Sequence, residues 1–256
     1  MKNKEFSFIE REIKWLLEEK YSNQQTSSFF QDVERLKKGE PIEYLIGFSE
    51  FLSCKIDLSL KPFIPRLETE YWVEEAIREI KKTVRGNKRV KALDVFAGSG
   101  CIGIAILKHI PFARCDFIEK EKRFLQQIKI NLRINKIKKK RYQIFNSDIF
   151  EKIDERKKYN FILANPPYIS FKRKAKVQKS VLKYEPQEAI FATENGLFYI
   201  KRFLEKAKNH LEKGGKIFLE FDSFQKSILT DFFKKYKYNF EFRRDQYHRW
   251  RWVVLS

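Results

Sequence analysis

Apolar positions near the amino terminus recur at helical intervals. Phe8, Ile9, Ile13, Leu16 and Leu17 share one face of residues 6–20, the spacing of an amphipathic helix. A second short helix fits Ser27–Lys38, with Ser27 or Ser28 as its cap, and Gly39-Glu40-Pro41 stops helical growth. From Glu43 to Asp57 the pattern becomes extended and partly alternating, punctuated by Gly47, which predicts a hairpin.

Beyond residue 65 short apolar runs alternate with helical ones. The pattern predicts helix Glu68–Lys82, strand Val90–Val95, helix Cys101–His109, strand Arg114–Ile118, helix Phe124–Ile134, and strands Tyr142–Phe145 and Phe161–Ala164. After a long loop come helix Leu197–Leu211, strand Lys216–Glu220, helix Phe224–Tyr236, and closing strands Phe240–Arg243 and Trp252–Leu255. Strands separated by helices of this length predict a parallel α/β sheet, and the last two strands, lacking a helix between them, predict an antiparallel edge. The expected division is a small helical domain over residues 1–40, a hairpin linker over 41–64, and one large α/β domain over 65–256.

With 256 residues, 43% of them apolar and 25 of them Phe, the chain can bury a sizeable core, which excludes wholesale disorder. No apolar run approaches the ~18 residues of a membrane span, and the charged amino terminus has no signal-peptide core. Cys54, Cys101 and Cys115 form neither a disulfide framework nor a zinc pattern, and His109, His210 and His248 are isolated. A reduced, cytoplasmic protein without a metal is expected. The net charge of +20 raises a nucleic-acid reading. Residues 1–50 hold 8 Lys and Arg against 10 Asp and Glu, so the whole excess lies beyond residue 50.

Gly98-Ser-Gly100-Cys-Ile-Gly103 follows a strand and opens a helix, the context of a nucleotide-binding glycine turn. Glu119, at the tip of the next strand, stands where ribose hydroxyls are held; Asp116 competes but falls inside the strand. The turn suits a dinucleotide and an adenosylmethionine equally. Asp148, after the third strand, can accept from an adenine amino group or serve only as a helix cap or turn former.

The end of the fourth strand is more specific. In Asn165-Pro166-Pro167-Tyr168 the two prolines forbid continuation of the strand and make a rigid protrusion. The Asn165 side-chain oxygen and the Pro166 carbonyl can each accept one hydrogen of an amino group. That draws a planar nitrogen towards tetrahedral geometry and directs its lone pair at a sulfonium methyl. Tyr168 can stack on the planar group. Such catalysis is mostly orientation and placement of acceptors.

With this signature the chain resembles amino-directed methyltransferases of the adenosylmethionine class, and within them the peptide chain release factor glutamine methyltransferases. Gly39-Glu40-Pro41-Ile42-Glu43-Tyr44-Leu45-Ile46-Gly47, Ile64-Pro65-Arg66-Leu67-Glu68-Thr69-Glu70, Tyr184-Glu185-Pro186, Asn195-Gly196-Leu197, Gly214-Gly215, Leu219-Glu220 and Gln225 carry the resemblance over roughly residues 39–256. It implies a Rossmann-like seven-stranded class I methyltransferase sheet in residues 65–256. It implies transfer of a methyl group from S-adenosyl-L-methionine to the N5 amide nitrogen of the glutamine in the Gly-Gly-Gln motif of release factors. By the same resemblance Phe96, Ala97, Gly98, Ser99, Gly100, Glu119, Asp148, Ile149 and Asn165 hold the cofactor. Asn165, Pro166 and Tyr168 are catalytic, and Asn165 to Tyr168, with Arg66 and Glu185, bind the substrate. Phe96 departs from the family's usual glycine, and Leu67 from its usual proline.

An adenine-N6 DNA or RNA methyltransferase is the rival enzyme, although the sheet ends within about 90 residues of Tyr168, leaving little room for a base-reading domain. A non-catalytic RNA- or ribosome-binding module is the rival of another class. Lys172, Arg173, Lys174, Lys176 and Lys179 follow Tyr168 without an intervening acid. They form either a surface for DNA, RNA or an acidic or ribosome-associated protein partner, or a share of the chain's general lysine richness. A monomer is expected.

Overall fold

A computed structural model describes residues 2–83 and 89–256, with side chains from residue 8 onward. Two helices, α1 (Lys2–Tyr21) and α2 (Ser27–Lys37), lead into a third, α3 (Ile42–Ile46). The cap of α2 is Thr26, one residue ahead of the expected serines; its hydroxyl accepts from Phe29 N–H at 3.2 Å. Leu16, Phe29, Val33, Leu36, Ile42, Leu45 and Ile46 form a core of their own. Asp32 locks it by accepting from Lys20, Tyr21 and Arg35 at 2.6–2.7 Å, and Arg35 also clasps Glu40.

Residues 42–46 are helical, where the sequence pattern predicts an extended start to the hairpin. Pro41 stands at the cap with its ring geometry suited to a helix start, and Gly47 closes the helix with φ +96°. The single turn buries Ile42, Tyr44, Leu45 and Ile46 together. The hairpin proper is β1 (Phe48–Phe51) and β2 (Cys54–Asp57), turned by Leu52 and Ser53, both at positive φ.

The remaining elements are α4 (Leu67–Thr83), β3 (Val90–Val95), α5 (Cys101–His109), β4 (Ala113–Glu119), α6 (Lys122–Ile134), β5 (Tyr142–Asn146) and β6 (Tyr159–Ala164). Then come β7 (Ile169–Ser170), α7 (Lys179–Tyr184), β8 (Phe191–Ala192), the turn α8 (Thr193–Gly196), α9 (Phe198–Ala207), β9 (Leu211–Glu220), α10 (Lys226–Lys235), β10 (Phe240–Arg244) and β11 (Trp250–Leu255). Seven strands form one sheet in the order β10-β11-β9-β6-β3-β4-β5. Only β11 runs against its neighbours, inserted between β9 and β10. Strand β9 begins five residues before the expected Lys216, and α9 ends earlier than expected, at Ala207. The two-stranded β7–β8 pair has no sequence signal, being two residues per strand.

The period-two alternation of β3 decides the layering. Ala92 faces a core shared with Trp72 and Val73 of α4, Ile102 of α5 and Ile128 of α6. Leu93 and Val95 face the opposite core, with Ile200 and Phe203 of α9 and Phe233 of α10. A helix layer thus covers each face of the sheet, which is why its central strands are apolar on both sides. Gly103 permits the tight packing of α5 on β4: a Cβ there would lie 2.3 Å from the Phe117 ring. The three cysteines are buried, unpaired thiols.

Candidate active site

Strand order reverses between β3 and β6, and ligands of open α/β sheets sit outside the carboxyl ends of strands at such a switch point. The main cleft, of about 570 Å³, lies there. Its walls carry Phe96 to Ser99 after β3, Glu119 at the tip of β4, Asp148 and Ile149 after β5, and Asn165 to Tyr168 after β6. Of the expected site residues, Gly100 and Glu185 are not on the cleft wall. Gly100 caps α5. Glu185 is buried behind Arg66, where it accepts from Arg66 at 2.5 Å and from Ile64 N–H at 3.1 Å. It ties the segment before α4 to the loop after α7, while Arg66 itself reaches the cleft.

The turn after β3 is shaped by backbone in the left-handed region at Phe96 (φ +64°), Gly98 (+53°) and Gly100 (+80°). A glycine at position 96 would adopt this backbone without strain. The Phe96 ring meets Tyr199 edge-on at 6.0 Å and Phe203 at 6.2 Å, so packing offsets the strained backbone. Glu119 accepts from Gly98 N–H and Glu121 N–H, both at 2.7 Å. It joins the glycine turn to the next strand while each oxygen keeps a further lone pair. Burial pushes its pKa up against those donors.

Asp148 caps no helix but opens a turn, its backbone carbonyl accepting from Glu151 N–H at 3.2 Å. Its carboxylate accepts from Lys120 at 3.3 Å and Arg202 at 3.1 Å, both on one oxygen. Asp116, the competitor of Glu119, lies off the cleft wall, where it accepts from the Tyr159 hydroxyl and Gln143 N–H.

The Asn165–Tyr168 turn rests on a buried carboxylate. Glu220, at the end of β9, accepts from Thr69 at 2.7 Å and from Trp72 at 2.6 Å on one oxygen, and from the Tyr168 hydroxyl at 2.8 Å on the other. Asn165 Nδ2 donates to Thr69 Oγ1 at 3.1 Å. Burial raises the pKa of Glu220, opposed by its three donors and Arg251. The Tyr168 phenol is also pushed well up by burial, next by the Glu220 charge. Behind the turn, Gln225 donates to the Tyr168 carbonyl at 3.0 Å. No described residue donates to the Pro166 carbonyl or to Asn165 Oδ1.

The basic segment after Tyr168 is partly committed. Arg173 pairs with Asp222 and lies 4.2 Å over the Phe224 ring, whereas Lys172, Lys174 and Lys176 are exposed. Trp72, Tyr199, Arg202 and Arg251 carried no sequence signal for the site. Glu220 had one, a carboxylate closing the apolar run Ile217-Phe218-Leu219. Among the described residues no group of His, Cys, Asp and Glu could hold a metal ion, and no helix is long and apolar enough to cross a membrane.

Residues 76–188 match the family model of the methyltransferase small domain. The release factor glutamine methyltransferase of Lactococcus lactis is 32% identical, over 81% of this chain and 74% of its own. That of Streptococcus pneumoniae is 31% identical over 98% of this chain and 90% of its own. Among solved structures, a 16S rRNA methyltransferase of T. thermophilus in complex with AdoMet and guanosine shares the fold. Its TM-score is 0.56 at 17% identity, covering 82% of this chain and 49% of that one. On the strength of the near full-length relatives, the chain belongs to the release factor glutamine methyltransferase family.

Proposed function

We propose that this protein methylates the side-chain amide nitrogen of the glutamine in the Gly-Gly-Gln motif of peptide chain release factors, with S-adenosylmethionine as donor. One observation carries the reading: a single cleft joins the Asn165–Tyr168 turn to Glu119 and Asp148. The residues fit that donor. Glu119 keeps lone pairs for hydroxyls, and Asp148 keeps one oxygen free to accept an amino group. Phe96 and Ile149 add apolar wall. When bound, the donor supplies an electrophilic methyl group on a sulfonium.

The protein's own part is to prepare the acceptor. Asn165 Oδ1 and the Pro166 carbonyl accept the two hydrogens of the glutamine amide, which weakens its conjugation and exposes the nitrogen lone pair. Pro166 and Pro167 hold those acceptors rigid, so little reorganisation remains for the reaction itself. The anchored Tyr168 ring bounds the position of the planar amide. The amide proton leaves after the nitrogen has become cationic, so no side-chain base is required. Arg66 flanks the cleft, with Glu185 fixing its direction. Exposed Lys172, Lys174 and Lys176 at the rim suit an acidic or ribosome-associated docking surface, consistent with a cytoplasmic site of action.

Incubation with labelled S-adenosylmethionine and a release factor tests the reading. Label should enter the release factor and be lost when the glutamine of its tripeptide is replaced. Label entering only DNA or ribosomal RNA refutes it. Asn165→Ala should abolish transfer while leaving donor affinity within a few-fold; retained transfer overturns the assignment of Asn165.

A further inference from the structure

The hydrogen bonds beneath Asn165 have a direction, and the direction can be derived without seeing hydrogens. Trp72 Nε1 offers only a proton. It lies 2.6 Å from one Glu220 oxygen, which in the carboxylate form has no proton to give and can only accept. Thr69 Oγ1 lies 2.7 Å from the same oxygen and must therefore spend its single proton there. The Thr69 oxygen can then only accept from its remaining neighbour, Asn165, 3.1 Å away. Of the two ends of the Asn165 amide only the NH2 end can donate. The amide is thereby turned with Oδ1 away from Thr69.

We propose that Thr69 is a positioning residue, a relay between Trp72–Glu220 and Asn165 that fixes which way the Asn165 amide faces and so presents Oδ1, not NH2, to the substrate amide. The proposal rests on the assignment of Asn165 as an acceptor for the glutamine amide. An amide free to rotate would present its NH2 group to the substrate NH2 in one of its two orientations, where two donors meet and no acceptor is available. Residues from three separate stretches build the relay. Thr69 and Trp72 stand three apart on one face of α4, Glu220 closes β9, and Asn165 follows β6. Thr69 is 2% exposed and Glu220 2%, so water cannot readily replace either partner.

Single-turnover kinetics on Thr69 variants test this. Thr69→Val keeps the shape and removes the relay; its transfer rate should fall about twofold, because an unbiased amide faces the substrate correctly half of the time. Thr69→Ser should restore the wild-type rate, and donor affinity should stay within about twofold in both. The decisive arm is a double-mutant cycle with Asn165→Asp. A carboxylate accepts through either oxygen and has no wrong orientation, so adding Thr69→Val to Asn165→Asp should cost nothing further. An equal loss in both backgrounds makes Thr69 merely structural and overturns the proposal, as does a wild-type rate for Thr69→Val. Should the valine variant not fold, the unmodified protein carries the test by side-chain amide exchange of ¹⁵N-asparagine. One Asn165 Nδ2 proton should be protected, and two freely exchanging protons refute the relay. If Asn165→Ala itself retains transfer, the fault lies with the parent assignment and not with Thr69.

Discussion

Gly196 offers a sharp perturbation of the acceptor turn from a position outside it. Its φ is +87°, and a Cβ there would stand 2.0 Å from the Tyr168 carbonyl oxygen and 2.7 Å from Gln225 Nε2. A nonbonded carbon and oxygen need more than 3 Å, so Gly196→Ala forces the two backbones apart by about 1 Å. Part of the cost is conformational, about 1 kcal/mol for alanine in the left-handed region. The larger consequence is geometric. The displaced atom belongs to the last residue of the Asn165–Tyr168 turn, and Gln225, which holds that carbonyl at 3.0 Å, must move too. Misplacement of reacting groups by 1 Å costs about 100-fold in rate. Gly214→Ala is the control: φ is +77° there, but nothing lies within 4 Å of the new Cβ. The expected outcome is a loss of about 1 kcal/mol in urea melts for Gly214→Ala with unchanged transfer. Gly196→Ala should lose more stability and about 100-fold in kcat. Equal stabilities with wild-type kcat in both would refute the close approach of Gly196 to the turn.

Two further outcomes follow from strained or buried groups. Phe96→Gly and Phe96→Ala lose the same contacts with Tyr199 and Phe203, but only glycine relieves the positive φ. The glycine variant should be more stable than the alanine variant by about 1 kcal/mol, reversing their usual order; urea melts that rank alanine higher sink the idea. Asp94 accepts from Gly103 N–H at 2.9 Å, its other oxygen is buried without a partner, and burial pushes its pKa well above the ordinary carboxylate range. The folded protein holds that proton more tightly than the unfolded chain. The associated stability is complete below the unfolded value and disappears as pH rises through the folded one. Asp94→Asn should flatten this decline in melts taken across a pH series, and parallel profiles for the two proteins would contradict it.

How much of this was legible depends on how local each determinant is. The strands of the sheet, the glycine turn and the Asn165-Pro166-Pro167-Tyr168 turn stand in contiguous stretches, where periodicity and proline chemistry act residue by residue. The short helix at Ile42–Ile46 was hidden because five residues carry too little periodicity, and burial against α1 and α2 decided their conformation. The pairing of β7 with β8 joins residues 22 apart through two rungs, which no pattern reveals. Asp148 was ambiguous in sequence because a cap and a ligand use the same carboxylate. In the fold that carboxylate pairs with Lys120 and Arg202 and caps no helix. Glu185, expected in the substrate site, turned out to hold Arg66 from behind, because a buried carboxylate needs a cation and a backbone donor near it.

The amino-acid sequence alone determined the alternating α/β architecture, the edge formed by the last two strands, and the chemistry available at the carboxyl ends of β3, β4 and β6. Each follows from apolar period, turn chemistry and the restriction proline places on its own backbone. Tertiary structure decided what those groups do to one another. Only folding brings Thr69 and Trp72 onto Glu220, 151 and 148 residues away, and sets Asn165 on Thr69 across 96 residues. Hydrogen-bond direction depends on which donor-only and acceptor-only groups meet, so the facing of the Asn165 amide could be read only from the assembled site.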